Sequence, residues 1–392
     1  MVKEVRVVRT VAVVGASLAG WSAASALRAG GFDGRIVLVG DEAREPYDRP
    51  PLSKAFLAGD LDAADLALTT ADVLDSVEWI LGHRAVSLNA AARRVVLDDG
   101  TEVVADAVVI ATGARARTLP GTAGLAGVHT LRTLDDAIAL RSELATASRV
   151  VVVGGGFIGA EVAATARAGG RTVDVVEALP LPMVDALGPE MAEVLVGLHT
   201  EHGTTLHAGT AVHELIAREG RVAGVLLADG RSMAADLVVV GIGVAPNIEW
   251  LAGSGVAVDD GVLVDAFGAT SMPGVYAAGD VARFPSARAG GHVRVEHWTH
   301  ARDQGAAVAR TILGERAGYD PVQYVWSEQY GVMVQFAGVA APDAEIEIVE
   351  GDVAERRFVA AYRREGRRVA VLGLRSPRTF TRLRKELARD AG

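Results

Sequence analysis

The chain has 392 residues, half of them hydrophobic, and a formal net charge of −10; that length supports two or three domains with substantial cores. Cysteine is absent, which excludes a disulfide framework, a thiolate nucleophile, a cysteine-ligated cluster and a CxxC redox pair. No apolar run approaches the ~18 residues of a membrane span and no signal-like segment precedes the first strand, so a cytoplasmic protein without a membrane partner is expected.

The run Val5 to Val14 reads as a strand, and Val11 to Val14 lead directly into Gly15-Ala16-Ser17-Leu18-Ala19-Gly20. A helix over Trp21 to Ala29, a strand over Arg35 to Val39 and the acids Asp41-Glu42 follow. Strand, glycine turn, helix, second strand and terminal acid together form the pattern of a dinucleotide-binding unit. Ser17 stands where the middle glycine belongs and narrows the room for backbone approach. Asp41 would hold an adenosine ribose in such a unit; alone, it also reads as a solvated acid at a strand end. The stretch from Glu45 to Lys54, EPYDRPPLSK, carries three prolines that fix extended or turn backbone. That rigidity suits a loop holding Arg49 and Lys54 over a cofactor, with the planar fork of Arg49 matched to a pyrophosphate. An ordinary proline-rich surface loop is the equal alternative. Farther on, Asp99-Gly100 precedes Asp106, a strand Ala107 to Ile110 and the turn Ala111-Thr112-Gly113.

The same design returns at Val150. A β-branched run over Val150 to Val153 is too short for a buried helix. Gly154, Gly156 and Gly159 then fall in the G-x-G-x-x-G spacing, with Phe157 and Ile158 between the last two. The first glycine allows the sharp turn, the second admits a pyrophosphate against backbone, and the third lets the helix pack on the sheet. The amino end of that helix offers N–H groups to phosphate. The next strand, Val173 to Val176, closes on Glu177, an acid suited to ribose hydroxyls and repulsive to a 2′-phosphate, so NADH is expected over NADPH. Asp229-Gly230 precedes Asp236, a strand Leu237 to Val240 and Gly241-Ile242-Gly243, repeating the earlier elements at an offset of 130 residues. A repeat of this length means duplicated domains rather than a solenoid. Two dinucleotide units in one chain suggest FAD and NAD.

Beyond the second copy, the short strand Val275 to Ala278 delivers Gly279-Asp280 to its carboxyl end, where open α/β sheets bind ligands. A helix is expected from Val281, and Trp298 is expected just before another helix over Ala301 to Leu313. Tyr324 opens a set of strands that includes Val332 to Phe336, Glu345 to Val349, Arg357 to Tyr362 and Arg368 to Leu374. A basic helix over Pro377 to Arg389 follows. From Arg363 onward there are ten basic and three acidic residues. An acidic body with a basic tail argues against general nucleic-acid binding and suits a localised dock for an acidic partner. The histidines show no metal-ligand spacing; His83, His199, His202 and His207 are expected at the surface or in loops, and no metal is expected.

The segments GASLAG, PYDRPPLSK, ATGA, GGGFIGAE, GVAPN, PGVYAAGD, VEHWTHA and WSEQY occur in this order along nearly the whole chain. This combination resembles the FAD-dependent NADH:ferredoxin (or rubredoxin) reductases that serve Rieske oxygenases and haem-thiolate monooxygenases, with apoptosis-inducing factor a more distant likeness. The resemblance implies the α/β fold of glutathione reductase, with two Rossmann-like dinucleotide-binding domains and a C-terminal α+β domain. The FAD domain would be split over residues 1–113 and 247–317, the NAD domain would span 114–246 and the last domain 318–392. It further implies that Arg49 and Lys54 bind flavin, that Val86 and Arg132 lie by the FAD, and that Asp280 contacts its ribityl chain. Glu296 and His297 of VEHWTHA would bind FAD, and Trp298 with Trp326 of WSEQY would neighbour the flavin ring. Glu161 would face Lys54 across the nicotinamide site. Buried opposite charges are costly unless matched, so function is a fair reason for that pair. The implied reaction is hydride transfer from NADH to flavin, followed by single-electron delivery to an iron–sulfur protein. Arg283, Arg288 and Arg294, together with the basic tail, would form its dock. A flavin-only NADH oxidase and an NADH-sensing regulatory flavoprotein stay open as alternatives.

Overall fold

The valine-rich runs become the central strands of two parallel sheets. In the computed structural model, which describes residues 8–68, 76–122 and 124–389, the chain divides into two units. The first comprises Met1–Asp48, Ala67–Arg115 and Ala245–Pro321, the second Arg49–Leu66, Ala116–Val244 and Val322–Gly392.

In the first unit the sheet order is Val275–Ala277, Ala107–Ile110, Thr10–Val14, Arg35–Gly40, Glu78–Leu81, all parallel. Its central strands are covered on both faces, so they read as continuous apolar runs without alternation. On one face, helices Leu18–Ala29 and Trp298–Ile312 bring Trp21, Ala24, Leu27 and Val308 against Val11, Val13, Ile36 and Leu38. On the other, the antiparallel meander Ala85–Asn89, Arg94–Leu97, Glu102–Val104 packs Leu88, Val95, Leu97 and Val103 against Ala12, Val14, Val37 and Val39. Each such aliphatic side chain, fully buried, contributes ~1.5–3 kcal/mol.

The second unit repeats this plan. Its parallel sheet runs Thr205–Ala208, Thr172–Glu177, Arg149–Val153, Leu237–Val240, Val128–Thr130. Helices Leu134–Leu144 and Phe157–Ala168 cover one face through Leu140, Val162, Ala163 and Ala166. A meander over Val212–Arg218, Arg221–Leu227 and Ser232–Ala234 covers the other through Val222, Val225 and Leu227. The unit also carries an antiparallel sheet in the order Tyr324–Gln329, Val332–Gly338, Arg367–Leu374, Arg357–Arg364, Glu345–Asp352. Helix Pro377–Arg389 seats Phe380 and Leu383 on one face of that sheet, against Val359 and Val371. The other face packs on Met191, Leu195 and Leu198 of helix Pro189–Glu201.

The duplication extends to single hydrogen bonds. Asp106 Oδ2 accepts from the amides of Arg9 and Thr10 at 3.0 and 3.1 Å. Asp236 Oδ2 accepts from those of Ser148 and Arg149 at 3.2 and 2.9 Å. In each copy the acid that precedes the later strand ties down the start of the earlier one.

Four sequence expectations need correction or limits. No helix starts at Val281: Ala282–Ser286 is a strand paired antiparallel with Gly291–Arg294. Its residues alternate between buried and half-buried, and Pro285 sits within it, a period of two that disfavours a helix. The following helix begins at Trp298, earlier than Ala301, with His297 as its N-cap. His199 is fully buried, not superficial. Its Nδ1 lies 2.7 Å from the Tyr330 hydroxyl, and burial pushes its pKa down to about 4. The first strand is seen from Thr10; its expected start at Val5 lies outside the described residues, as does Asp390 of the tail. Among the described residues, no helix is long and apolar enough to cross a membrane.

Candidate dinucleotide-binding sites

In the first unit the carboxyl ends of three adjacent strands converge on one helix start. Gly15 has a φ of +121°, and a Cβ there would lie 2.0 Å from the Ala111 carbonyl oxygen. That contact places Ala111-Thr112-Gly113 beside the glycine turn and makes a side chain at residue 15 untenable. Gly279 approaches from the other strand, with its amide donating to Gln304 Oε1 at 2.8 Å and its Cβ position 2.7 Å from Ala19. Gly15, Ser17, Ala19, Gly20, the 111–113 turn and Gly279-Asp280 are thus gathered around the amino end of helix Leu18–Ala29. Ser17 is its N-cap with extended backbone, which any residue adopts, so it replaces glycine without strain. Asp41 is exposed just past strand Arg35–Gly40. Glu42 accepts from the Tyr47 hydroxyl at 2.6 Å, so the neighbouring acid is held while Asp41 faces solvent. Asp280 is buried and Glu296 is exposed, bonded to Arg294 at 2.6 Å. Trp298 Nε1 donates to Asp48, and the Arg302 guanidinium lies 5.1 Å from the Trp298 ring centroid. His297 is held neutral by desolvation, its pKa pushed down to about 4 with Asp280 pulling the other way. Val86 is exposed on the meander.

The second unit carries the same geometry. A Cβ on Gly154 would lie 2.2 Å from the Gly241 carbonyl oxygen, and one on Gly159 would lie 2.0 Å from that of Gly154. The glycine turn, helix Phe157–Ala168 and the turn Gly241-Ile242-Gly243 are therefore in mutual backbone contact. Nothing lies within 4 Å of a Cβ at Gly156, so the side from which a pyrophosphate would reach the helix amides is open. Ile158 and Ile242 are exposed beside it. Glu177 sits at the end of its strand; its Oε2 accepts from the Gly155 amide at 2.8 Å and its Oε1 from the Leu179 amide at 2.9 Å. The acid chosen from spacing is thus bonded to the glycine loop itself. Both cradles fit the phosphates and riboses of dinucleotides.

A buried charge cluster also forms within the second unit. Pro50–Ser53 is one 3₁₀ turn and Ala55–Ala58 one helical turn, so the proline-rich stretch is compact and Lys54 lies between two turns. Lys54 Nζ donates to Glu161 Oε2 at 2.6 Å and to the Pro50 carbonyl at 2.9 Å. Glu161, on the second turn of helix Phe157–Ala168, is 2% exposed. Two serines complete its shell: Ser53 Oγ donates to Oε2 at 2.5 Å and Ser327 Oγ to Oε1 at 2.7 Å. Three donors offset the desolvation that would otherwise exclude a carboxylate. Arg49 donates to the Arg132 carbonyl, so these two residues are brought together, with the guanidinium meeting main chain. Trp326 stacks on Tyr324 with ring centroids 5.8 Å apart. Sequence reasoning found Lys54 and Glu161 but not Ser53 or Ser327, whose only signal was their place inside PYDRPPLSK and WSEQY.

Elsewhere, His83, Asp98 and Asp99 lie close enough together to share an ion. They are on the surface, and Asp99 is already occupied by the Thr101 amide and hydroxyl. The expected docking arginines of the first unit are committed internally. Arg283 pairs with Asp259, Arg288 donates to the Asp320 carbonyl, and Arg294 pairs with Asp260 and Glu296. On helix Pro377–Arg389, Arg378, Lys385 and Arg389 are exposed and make no ion pair among the described residues.

Residues 9–305 match the pyridine nucleotide-disulphide oxidoreductase family, and residues 324–392 match the reductase C-terminal family. The chain is 42% identical over 384 residues to rhodocoxin reductase of Rhodococcus erythropolis, covering 97% of this chain and 90% of that one. It is 41% identical over 374 residues to the ferredoxin reductase component of chlorobenzene dioxygenase from Cupriavidus sp. (strain PS12), covering 94% and 90%. Among solved structures, a chain of the covalent putidaredoxin reductase–putidaredoxin complex matches with a TM-score of 0.93 at 34% identity, covering 97% of this chain and 93% of that one.

Proposed function

The chain belongs to the pyridine nucleotide-disulphide oxidoreductase family, and on that premise we propose that it acts as an NADH-dependent ferredoxin reductase for an oxygenase system, a haem-thiolate monooxygenase or a Rieske oxygenase. Two relatives are named as reductase components of dioxygenase systems, and a similar solved structure is named as the ferredoxin reductase of the CYP199A2 system. The observation that carries the reading is the conjunction of two dinucleotide cradles with a chain that has no cysteine. Disulfide chemistry, the family's namesake, has no thiol to use here, and the relatives named as ferredoxin reductase components point to a separate protein as the acceptor. FAD supplies the conversion of a two-electron hydride donor into single electrons for an iron–sulfur acceptor.

The residues bind and orient. In the first unit we assign Gly15, Ser17, Ala19, Gly20, Glu42, Ala111, Thr112 and Gly113 to FAD, and Asp41 to its adenosine ribose. Val86, Gly279, Asp280, Glu296, His297 and Trp298 are assigned to the same cofactor; the family resemblance is what adds Arg49, Lys54, Arg132 and Trp326 as flavin-binding residues. Gly154, Gly156, Phe157, Ile158, Gly159, Gly241, Ile242 and Gly243 are assigned to NADH, with Glu177 at its ribose. Lys54 and Glu161 form the catalytic pair: the salt bridge holds a fixed dipole where charge changes during hydride transfer. Residues 1–113 with 247–317, 114–246 and 318–392 are the proposed FAD, NAD and C-terminal domains. The last is supported by its separate antiparallel sheet.

For the acceptor, a ferredoxin or in its place a rubredoxin, the exposed cations of helix Pro377–Arg389 suit an acidic face better than Arg283 and Arg294, whose charges are answered by carboxylates, or Arg288, which is tied to the Asp320 carbonyl. A cytoplasmic location suits an enzyme fed by NADH. The test is NADH-driven reduction of a purified [2Fe–2S] ferredoxin beside oxygen uptake without it. Fast, ferredoxin-dependent turnover is expected. NADH consumption by oxygen that ferredoxin does not accelerate would mark a flavin-only oxidase.

A further inference from the structure

Glu161 is where three segments of the second unit meet, and its two oxygens are held from different sides. Ser53 and Lys54 donate to Oε2 at 2.5 and 2.6 Å, while among the described residues Ser327 alone donates to Oε1, at 2.7 Å. Ser327 is 0% exposed, and so is Gln329, whose Nε2 donates to Ser327 Oγ at 3.2 Å. Ser327 and Gln329 are two apart on strand Tyr324–Gln329, so they share a face of it.

The direction of this chain is determined by chemistry. A hydroxyl has one proton and two lone pairs. A carboxylate only accepts, so the Ser327 proton goes to Glu161 and its lone pair receives the Gln329 amide. Donor polarity therefore runs from Gln329 through Ser327 to Glu161, and each bond strengthens the next. The last torsion of a glutamate side chain is broad, so bonds to Oε2 alone leave the carboxylate plane free to rock. A donor on Oε1 removes that freedom.

We propose that Ser327 is a positioning residue for NADH oxidation: by fixing the plane of the Glu161 carboxylate, it fixes the place of the Lys54 ammonium. The proposal rests on the role assigned above to Lys54 and Glu161. It makes the strand of WSEQY part of the apparatus that sets that pair, quite apart from its tryptophan.

The test compares Ser327→Ala, Glu161→Gln and the double variant in the holoenzyme, with two readouts. One is the rate constant of flavin reduction by NADH in anaerobic stopped flow. The other is acylation of Lys54 by acetic anhydride, followed by peptide mass mapping, which needs no turnover. Ser327→Ala is expected to slow reduction on the order of tenfold and to raise Lys54 labelling severalfold. On the Glu161→Gln background it should add nothing, because residues acting through one another are non-additive. If Ser327→Ala does not fold, Ser327→Cys, near-isosteric and a weak donor, is read in its place. Parent-like labelling in the serine variant, or losses that multiply in the double variant, overturn the proposal. A slow Glu161→Gln beside a Ser327→Ala at the parent rate sinks this inference alone. A Glu161→Gln at the parent rate sinks the role of the pair, and labelling then still reports whether Ser327 positions it.

Discussion

Glu161 is a carboxylate at 2% exposure, and such a group persists only with its donors intact. Lys54→Met removes the cation paired with it and leaves a buried charge to the hydroxyls of Ser53 and Ser327. We expect a loss of roughly 3 kcal/mol in urea unfolding together with slower reduction by NADH; a variant matching the parent in both would refute the pair's role. Glu177 poses the opposite case, an acid already bonded to the Gly155 and Leu179 amides. Glu177→Arg removes both acceptors and brings a cation to the ribose. The NADPH-to-NADH ratio of kcat/KM should rise on the order of 100-fold, and an unchanged ratio would show that selectivity lies elsewhere. The two residues differ in how legible they were. Glu177 lies a fixed strand–helix–strand distance from its glycines, so spacing reveals it. The serines of Glu161 lie 108 and 166 residues from it, and no local pattern reports such a contact.

Elements were legible where one period dominated. Val11 to Val14 and Val150 to Val153 became buried parallel strands because no polar residue interrupts them. Ala282–Ser286 was misread as helix because the strand–turn–helix order of the two nucleotide units was extended to Gly279-Asp280. There the chain instead forms a strand with Gly291–Arg294. The recurring aspartates show how element and residue connect: spacing revealed that Asp106 and Asp236 repeat, and the fold shows that each clamps the start of a central strand. Asp236→Ala should cost about 1–2 kcal/mol, the loss of hydrogen bonds to main-chain amides. Chemical denaturation reads this directly, and a parent-like midpoint would mean solvent replaces the carboxylate without penalty.

Two predictions belong to the whole molecule. His199 and His300 are buried, and desolvation pushes each down to about 4, with Asp280 drawing His300 partly back up. The folded state therefore disfavours the protonated form. Their contribution is fully present above the ordinary histidine value near 6.5 and is lost as pH falls from there toward about 4, because the unfolded chain binds the protons first. The loss is bounded at about 3 kcal/mol per histidine. Urea midpoints from pH 7.5 to 4.5 should fall in that window, and less so in His199→Gln; a flat profile would mean these rings take up protons as readily in the folded state as in the unfolded chain. For the basic tail, electron transfer to an acidic ferredoxin should slow as ionic strength rises, while reduction by NADH changes little. Equal salt response of both steps would remove helix Pro377–Arg389 as the dock.

The amino-acid order by itself determined the two nucleotide-binding designs, the exclusion of thiol chemistry and the family. These are written in short-range periods and in composition, which local sterics and burial translate directly into strands, turns and helix ends. Only the tertiary structure decided which hydroxyls complete the shell of Glu161, that His199 is buried against Tyr330, and which arginines are already answered by acids. Those outcomes depend on groups distant in the chain competing for the same buried space, where partners are settled by packing and desolvation rather than by spacing.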